Sequence, residues 1–188
     1  RWRCLCSYDG TNYRGWQKQP KGQSVQGCIE QALQQTFTKK IKTIGAGRTD
    51  AGVHALGQVF HFDAAWRHGS DKLLKALRVR LPEDILPLEL VEIPSSFHAL
   101  CSARGKYYVY RAVEGYALPM EMRYVHSLNN RTLDVASMRK GAGHLVGRHD
   151  FSSFAASRGR GEVESPIKEL WRLEVVRSGK CIKIKALG

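Results

Sequence analysis

The chain has 188 residues, room for one large domain or two small fused ones, and enough to bury a core without disulfide support. Hydrophobic residues make up 43% and charged residues 25%, which excludes a disordered chain, and no window approaches the roughly 18 apolar residues of a membrane span. Thirty Lys and Arg against 17 acids leave a net charge of +13, a balance that points to a polyanionic partner, nucleic acid before membrane.

Arg1 to Tyr8 alternates, with Trp2, Cys4, Cys6 and Tyr8 on one face, and reads as a strand. Asp9-Gly10-Thr11-Asn12 ends it as a turn. Ser24 can cap a helix running to Phe37, with Val25, Cys28, Ile29, Ala32 and Leu33 on one side. Lys40 to Ala46 and Gln58 to Asp63 read as strands, the second with Phe60 and Phe62 on one face. Ser70 can cap a second helix, Asp71 to Arg80, which Pro82 prevents from continuing. Leu88 to Ile93 is a further strand. The order βαββαβ is the ferredoxin-like arrangement, an antiparallel sheet with helices on one face.

A second half begins beyond Pro94-Ser95-Ser96, which divides the chain into 1–96 and 97–188. Lys106 to Val113 reads as a strand with Lys106, Tyr108 and Tyr110 on one face, and Tyr124 to Leu128 is its candidate partner. Thr132 to Val146 is helical, weakened by Gly141 and Gly143. Leu170 to Arg177 and Lys180 to Ala186 form a closing hairpin around Ser178-Gly179. The expected fold class is therefore α+β, two ferredoxin-like (RRM-like) halves with antiparallel sheets, the second ββαββ and without a final helix.

Cys4, Cys6, Cys28, Cys101 and Cys181 are odd in number and include no C-x-x-C, so neither a disulfide framework nor a zinc ribbon is expected. The seven histidines form no H-E-x-x-H, and no metal is expected. Unpaired thiols fit a reducing compartment, cytoplasmic or organellar. No h-region follows Arg1-Trp2-Arg3-Cys4, so these residues do not read as a signal peptide.

Chemistry concentrates in Gly45 to Ala55. Three glycines in eight residues imply positive φ or the close approach of another backbone, and the absence of Gly-Lys-Ser/Thr excludes a P-loop. In an extended segment Arg48 and Asp50 share a side, so the guanidinium can pair with the carboxylate and keep it ionised, fit to act as nucleophile or base. Spacing alone leaves a second reading open: an Asp that stabilises a turn beside a surface Arg.

Gly47-Arg48-Thr49-Asp50-Ala51-Gly52-Val53-His54-Ala55 resembles the signature of the TruA-type tRNA pseudouridine synthases. Further matching stretches follow in order. Tyr8-Asp9-Gly10-Thr11-Asn12-Tyr13-Arg14-Gly15-Trp16-Gln17 resembles the N-terminal motif, and Ser24-Val25-Gln26 opens the first helix. Gly57-Gln58-Val59, Phe97-His98-Ala99, Lys106-Tyr107-Tyr108-Val109-Tyr110 and Asp150-Phe151-Ser152-Ser153-Phe154 complete the set, which spans nearly the whole chain.

The resemblance implies an enzyme that isomerises uridine to pseudouridine in the anticodon stem-loop of tRNA, without a cofactor. It acts as a homodimer in the cytoplasm or an organelle, with the catalytic cleft between the two halves of each chain. Asp50 matches the essential aspartate, which can attack uracil C6 or ribose C1′. Arg48 matches the arginine that pairs with it and fills the space left by a flipped base, and Tyr108 the tyrosine that stacks on uracil. Lys18, Lys21, Lys39, Lys40, Lys42, Arg104, Lys106, Arg158 and Arg160 are candidates for holding phosphates; each alone is a solvated charge. Tyr13 and Trp16 suit either base stacking or burial, Tyr110 sheet packing, His54 loop ordering and His61 the sheet. The family pattern continues into a helix like G-F-L-x-x-M-V-R where this sequence reaches Leu187-Gly188, so the second half is expected to be truncated relative to the family. The competing reading is a non-catalytic RNA-binding module on the same sheets. A metal-dependent nuclease fails for want of acids clustered around Asp50.

Overall fold

A computed structural model describes residues 1–154 and 165–188. The fold is mixed α and β, with three helices among the described residues. The chain divides into two compact units, Arg1–Ala103 and Arg104–Gly188. Residues 97–103, read from sequence as the start of the second half, therefore belong with the first unit. The Ala99 N–H donates to His61 Nδ1 at 3.1 Å and the Phe97 carbonyl accepts from the Arg1 guanidinium at 2.6 Å, which pins this stretch.

The first unit runs β1 (Trp2–Tyr8), α1 (Val25–Phe37), β2 (Ile44–Gly45), β3 (Ala55–Phe62), α2 (Ser70–Arg80) and β4 (Ile85–Glu92), with sheet order β2-β3-β1-β4 and antiparallel neighbours throughout. The alternation in β1 appears as strict alternation in burial, with Trp2, Cys4, Cys6 and Tyr8 inside. Helix α1 has apolar residues one turn apart, and Val25, Ile29, Ala32 and Leu33 meet Phe60 and Phe62 of β3 and Leu73 and Leu77 of α2 in one core. Each fully buried Leu, Ile or Phe there contributes about 1.5–3 kcal/mol relative to exposure.

Ser24 caps α1 as expected, its hydroxyl accepting the Gly27 N–H at 3.2 Å. Helix α2 starts one residue earlier than expected. Ser70 is its first residue, and Gly69, at φ 80°, is the cap with no side-chain bond. The strand expected over Lys40 to Ala46 shrinks to Ile44–Gly45, because α1 side chains take the backbone before it. Glu30 accepts the Thr43 N–H at 3.0 Å and Gln26 donates to the Thr43 carbonyl at 2.9 Å.

The second unit runs β5 (Tyr107–Val113), β6 (His126–Ser127), α3 (Val135–Leu145), β7 (Gly147–Asp150), β8 (Ile167–Leu170), β9 (Arg172–Ser178) and β10 (Cys181–Leu187). Its main sheet has the order β6-β5-β10-β9. The β9–β10 hairpin turns at Gly179, whose φ of 59° suits glycine. β6 is only two residues long and runs parallel to β5. Helix α3 is shorter than Thr132 to Val146 because Asp134 caps it, accepting the Ser137 N–H at 3.0 Å. Val135 and Ala142 of α3 pack on Val175 and Ile182. The β7–β8 pair was not expected: Gly147-Arg148-His149-Asp150 has no apolar alternation to announce a strand.

Candidate active site

The site is built on a clasp between two loops of the first unit, residues 9–17 and 46–54. A register shift between Cys6 and Tyr8 ends the regular β1–β3 ladder, and the Tyr8 hydroxyl meets Thr49 Oγ1 at 2.8 Å. Backbone bonds follow: Trp16 N–H donates to the Thr49 carbonyl at 3.0 Å, and Gly52 N–H to the Tyr13 carbonyl at 3.3 Å. Two glycines permit this approach. A Cβ at Gly10 would stand 2.0 Å from the Val53 carbonyl oxygen, and one at Gly15, where φ is +86°, 2.4 Å from that of Thr49. From β3, Gln58 Nε2 donates to the Gly47 carbonyl at 2.8 Å. His54 Nδ1 accepts the Gly10 N–H at 3.1 Å and lies 3.0 Å from Asp9 Oδ1, so this histidine orders the loop.

Between these ties the chain turns at Asp50, whose carbonyl accepts the Val53 N–H at 3.2 Å, with Gly52 at φ 78° supplying the positive φ a type II turn needs. The pairing expected from an extended segment is not formed: no ion pair joins Arg48 to Asp50 among the described residues. Both residues instead line one open cavity of about 500 Å³, with Arg14, Gln17, Gln19, Thr49 and Ala51. Two guanidinium groups against one carboxylate leave its wall with a formal charge of +1. Arg48 and Asp50 are exposed and Thr49 is half-buried, so the carboxylate is not shielded from water in the free protein.

Tyr13 and Trp16 are 4% and 1% exposed, so burial, and not base stacking, is their role. The Tyr13 hydroxyl donates to Asp84, and burial pushes its ionisation well above the ordinary tyrosine range. His61 is a sheet residue, 2% exposed. Lys18 reaches Glu30 at 3.4 Å; Lys18 and Lys21 are exposed but lie outside the cavity lining, as do Lys39, Lys40 and Lys42. In the second unit, Arg104 and Lys106 are exposed, and Tyr108 is 51% exposed on β5, opposite Ala186. Tyr110 sits beside the His126 ring. Arg158 and Arg160 fall outside the described residues. Arg14, Gln17 and Gln19 had not been singled out, although Arg14 and Gln17 stand in the quoted N-terminal motif. Among the described residues no group of three His, Cys, Asp or Glu could hold a metal, and no helix is long and apolar enough to cross a membrane.

The model of the tRNA pseudouridine synthase family matches residues 5–100, the stretch that contains both loops. A tRNA pseudouridine synthase A of Sinorhizobium fredii is 40% identical over 190 residues, covering 99% of this chain and 76% of the relative. The chain belongs to the tRNA pseudouridine synthase family. Other family members give the same result. The tRNA pseudouridine synthase A of an Exiguobacterium species is 37% identical over 100% of this chain and 75% of its own. That of Ruminiclostridium cellulolyticum is 39% identical over 99% and 76%. The clasped loop around Asp50 is thus a loop of the tRNA pseudouridine synthase family, carried on the β1–β3 pair.

Proposed function

We propose that this chain isomerises uridine to pseudouridine in tRNA, in the anticodon stem-loop, without a cofactor and with Asp50 as nucleophile. The observation that carries the reading is the position of Asp50 and Arg48 on one cavity wall, on a loop clamped through its backbone, in a chain of this family. The cavity is an open hollow of about 500 Å³ at the surface of the first unit. A uridine stacked in RNA cannot enter it, so the base must flip out, at a cost of a few kcal/mol.

In the reaction the N1 glycosidic bond breaks, the base rotates, and C5 joins the ribose as its proton leaves. Asp50 attacks either uracil C6 or ribose C1′; either atom needs an ionised carboxylate. Its exposure in the free protein makes the entering nucleotide the agent that excludes water. Arg48 fills the space the base vacates, and Tyr108 stacks on the uracil near C5. The βαββαβ order of the first unit and its antiparallel sheet support reading that unit as a ferredoxin-like half. Lys18, Lys21, Arg104, Lys106, Arg158 and Arg160 supply sequence-independent phosphate contacts. A homodimer in the cytoplasm completes the reading.

The test is tritium release from tRNA labelled at uracil C5. Release by this chain and none by Asp50→Asn, with tRNA affinity within a few-fold, is the expected result. Equal release by both would remove Asp50 from the chemistry. Tight, salt-dependent tRNA binding with no release by either would instead favour an RNA-binding module.

A further inference from the structure

The cavity holding Arg48 and Asp50 is lined by a second arginine, Arg14. Its stem lies over Gly22, where φ is +87° and a Cβ would stand 2.5 Å from Arg14 Cδ and 2.7 Å from Nε. Any other residue at 22 would displace the side chain. Its backbone is tied on both sides: the N–H donates to the Gln23 carbonyl at 2.9 Å, and the carbonyl accepts from the Gln19 amide at 3.1 Å. Arg14 makes no ion pair among the described residues, although Asp50 lines the same cavity. A cation supported in this way beside a carboxylate offers an anion site that the protein itself does not fill.

We propose that Arg14 is a substrate-binding residue that grips the phosphodiester flanking the uridine presented to Asp50. The inference rests on the reading of the cavity as the uridine site. A planar guanidinium can hold two phosphate oxygens at once, which an ammonium cannot. It also offsets the repulsion between a phosphodiester and the Asp50 carboxylate, which would otherwise oppose entry of the nucleotide.

The experiment compares wild type, Arg14→Gln and Arg14→Lys in steady-state tritium release and in direct tRNA binding across a salt series. Arg14→Gln should raise KM and Kd about tenfold, leave kcat within about twofold, and reduce the salt slope by about one. Arg14→Lys should recover the salt slope but only part of the KM. Unchanged KM, Kd and slope in Arg14→Gln, with its melting temperature intact, would overturn the assignment. A fall in kcat at constant KM would also overturn it, by placing Arg14 at the reacting atoms. If wild type releases no tritium, the parent reading fails, while the binding series still decides whether Arg14 contacts a phosphate.

Discussion

Lysine in place of Arg48 would keep the charge and lose the plane. If Arg48 fills the space of a flipped base, a flexible ammonium cannot replace it. Arg48→Lys should therefore cut kcat/KM at least about a hundredfold while tRNA affinity stays within a few-fold. Single-turnover tritium release checks this, and near-normal turnover would sink the displacement role. Asp50 stands out in the sequence as an acid among glycines in a basic chain, and the structure puts it on the cavity wall. Its pairing with Arg48 rested on an extended backbone, and residues 48–50 lie outside any strand. Arg14 was illegible for a related reason. Nothing in Tyr13-Arg14-Gly15 says that a chain turning back through Gly22 will support that side chain beside residues 48–51. Cys4 and Cys6 were read correctly as one face of a strand; burial pushes both thiols up, Cys6 to about 12, so neither is a nucleophile at neutral pH.

At the scale of elements, the clasp between loops 9–17 and 46–54 depends on glycine. Gly15→Ala would place a Cβ at positive φ against the Thr49 carbonyl. Strain and overpacking together should cost about 2–4 kcal/mol, read as a lower denaturant midpoint with the slope unchanged. A midpoint equal to wild type would mean that the loops are not held at this distance. The main elements of the first unit were legible because period and caps agreed: alternation in β1, one apolar stripe in α1, and Ser24 before it. The residues before β2 alternate like a strand, but Gln26 and Glu30 hold Thr43 through side chains that sequence patterns do not couple to it. β7 has no apolar alternation, and Arg148, His149 and Asp150 are polar and exposed, so no period marks it.

At the scale of the whole molecule, the two units are built unequally. Eighteen apolar side chains form the buried cluster of the first, against four in the second among the described residues, so the first holds most of the cooperative core. In the second, Glu114 accepts the Leu133 N–H at 2.9 Å and pairs with Arg177 at 2.7 Å, and the first of these leads in holding its carboxyl below the usual range. In the first unit His61 fastens residues 97–103 to the sheet. Burial, then the positive charge of Arg1, lowers its pKa. The unfolded chain therefore binds a proton first, and the contribution of neutral His61 is lost as pH falls below about 6.5. Protonation also removes the acceptor of the Ala99 N–H. Thermal unfolding should show a falling midpoint between pH 7.5 and 5.5 that flattens in His61→Phe; a parallel decline in both proteins would contradict it. Charge and composition made a polyanion-binding molecule legible, whereas the position of each lysine relative to the cavity depends on long-range folding.

The clasp has a further consequence. Its ties from the 9–17 loop to the 46–54 loop fall on the Thr49 carbonyl, the Gly52 amide and the His54 ring. The side chains at 48, 50 and 51 take no part in these ties, so position and reactivity are encoded by different atoms. The loop can act as a chassis: libraries randomised at these three positions should retain most of their members as folded protein, because the substitutions alter the chemistry presented without disturbing the frame that presents it.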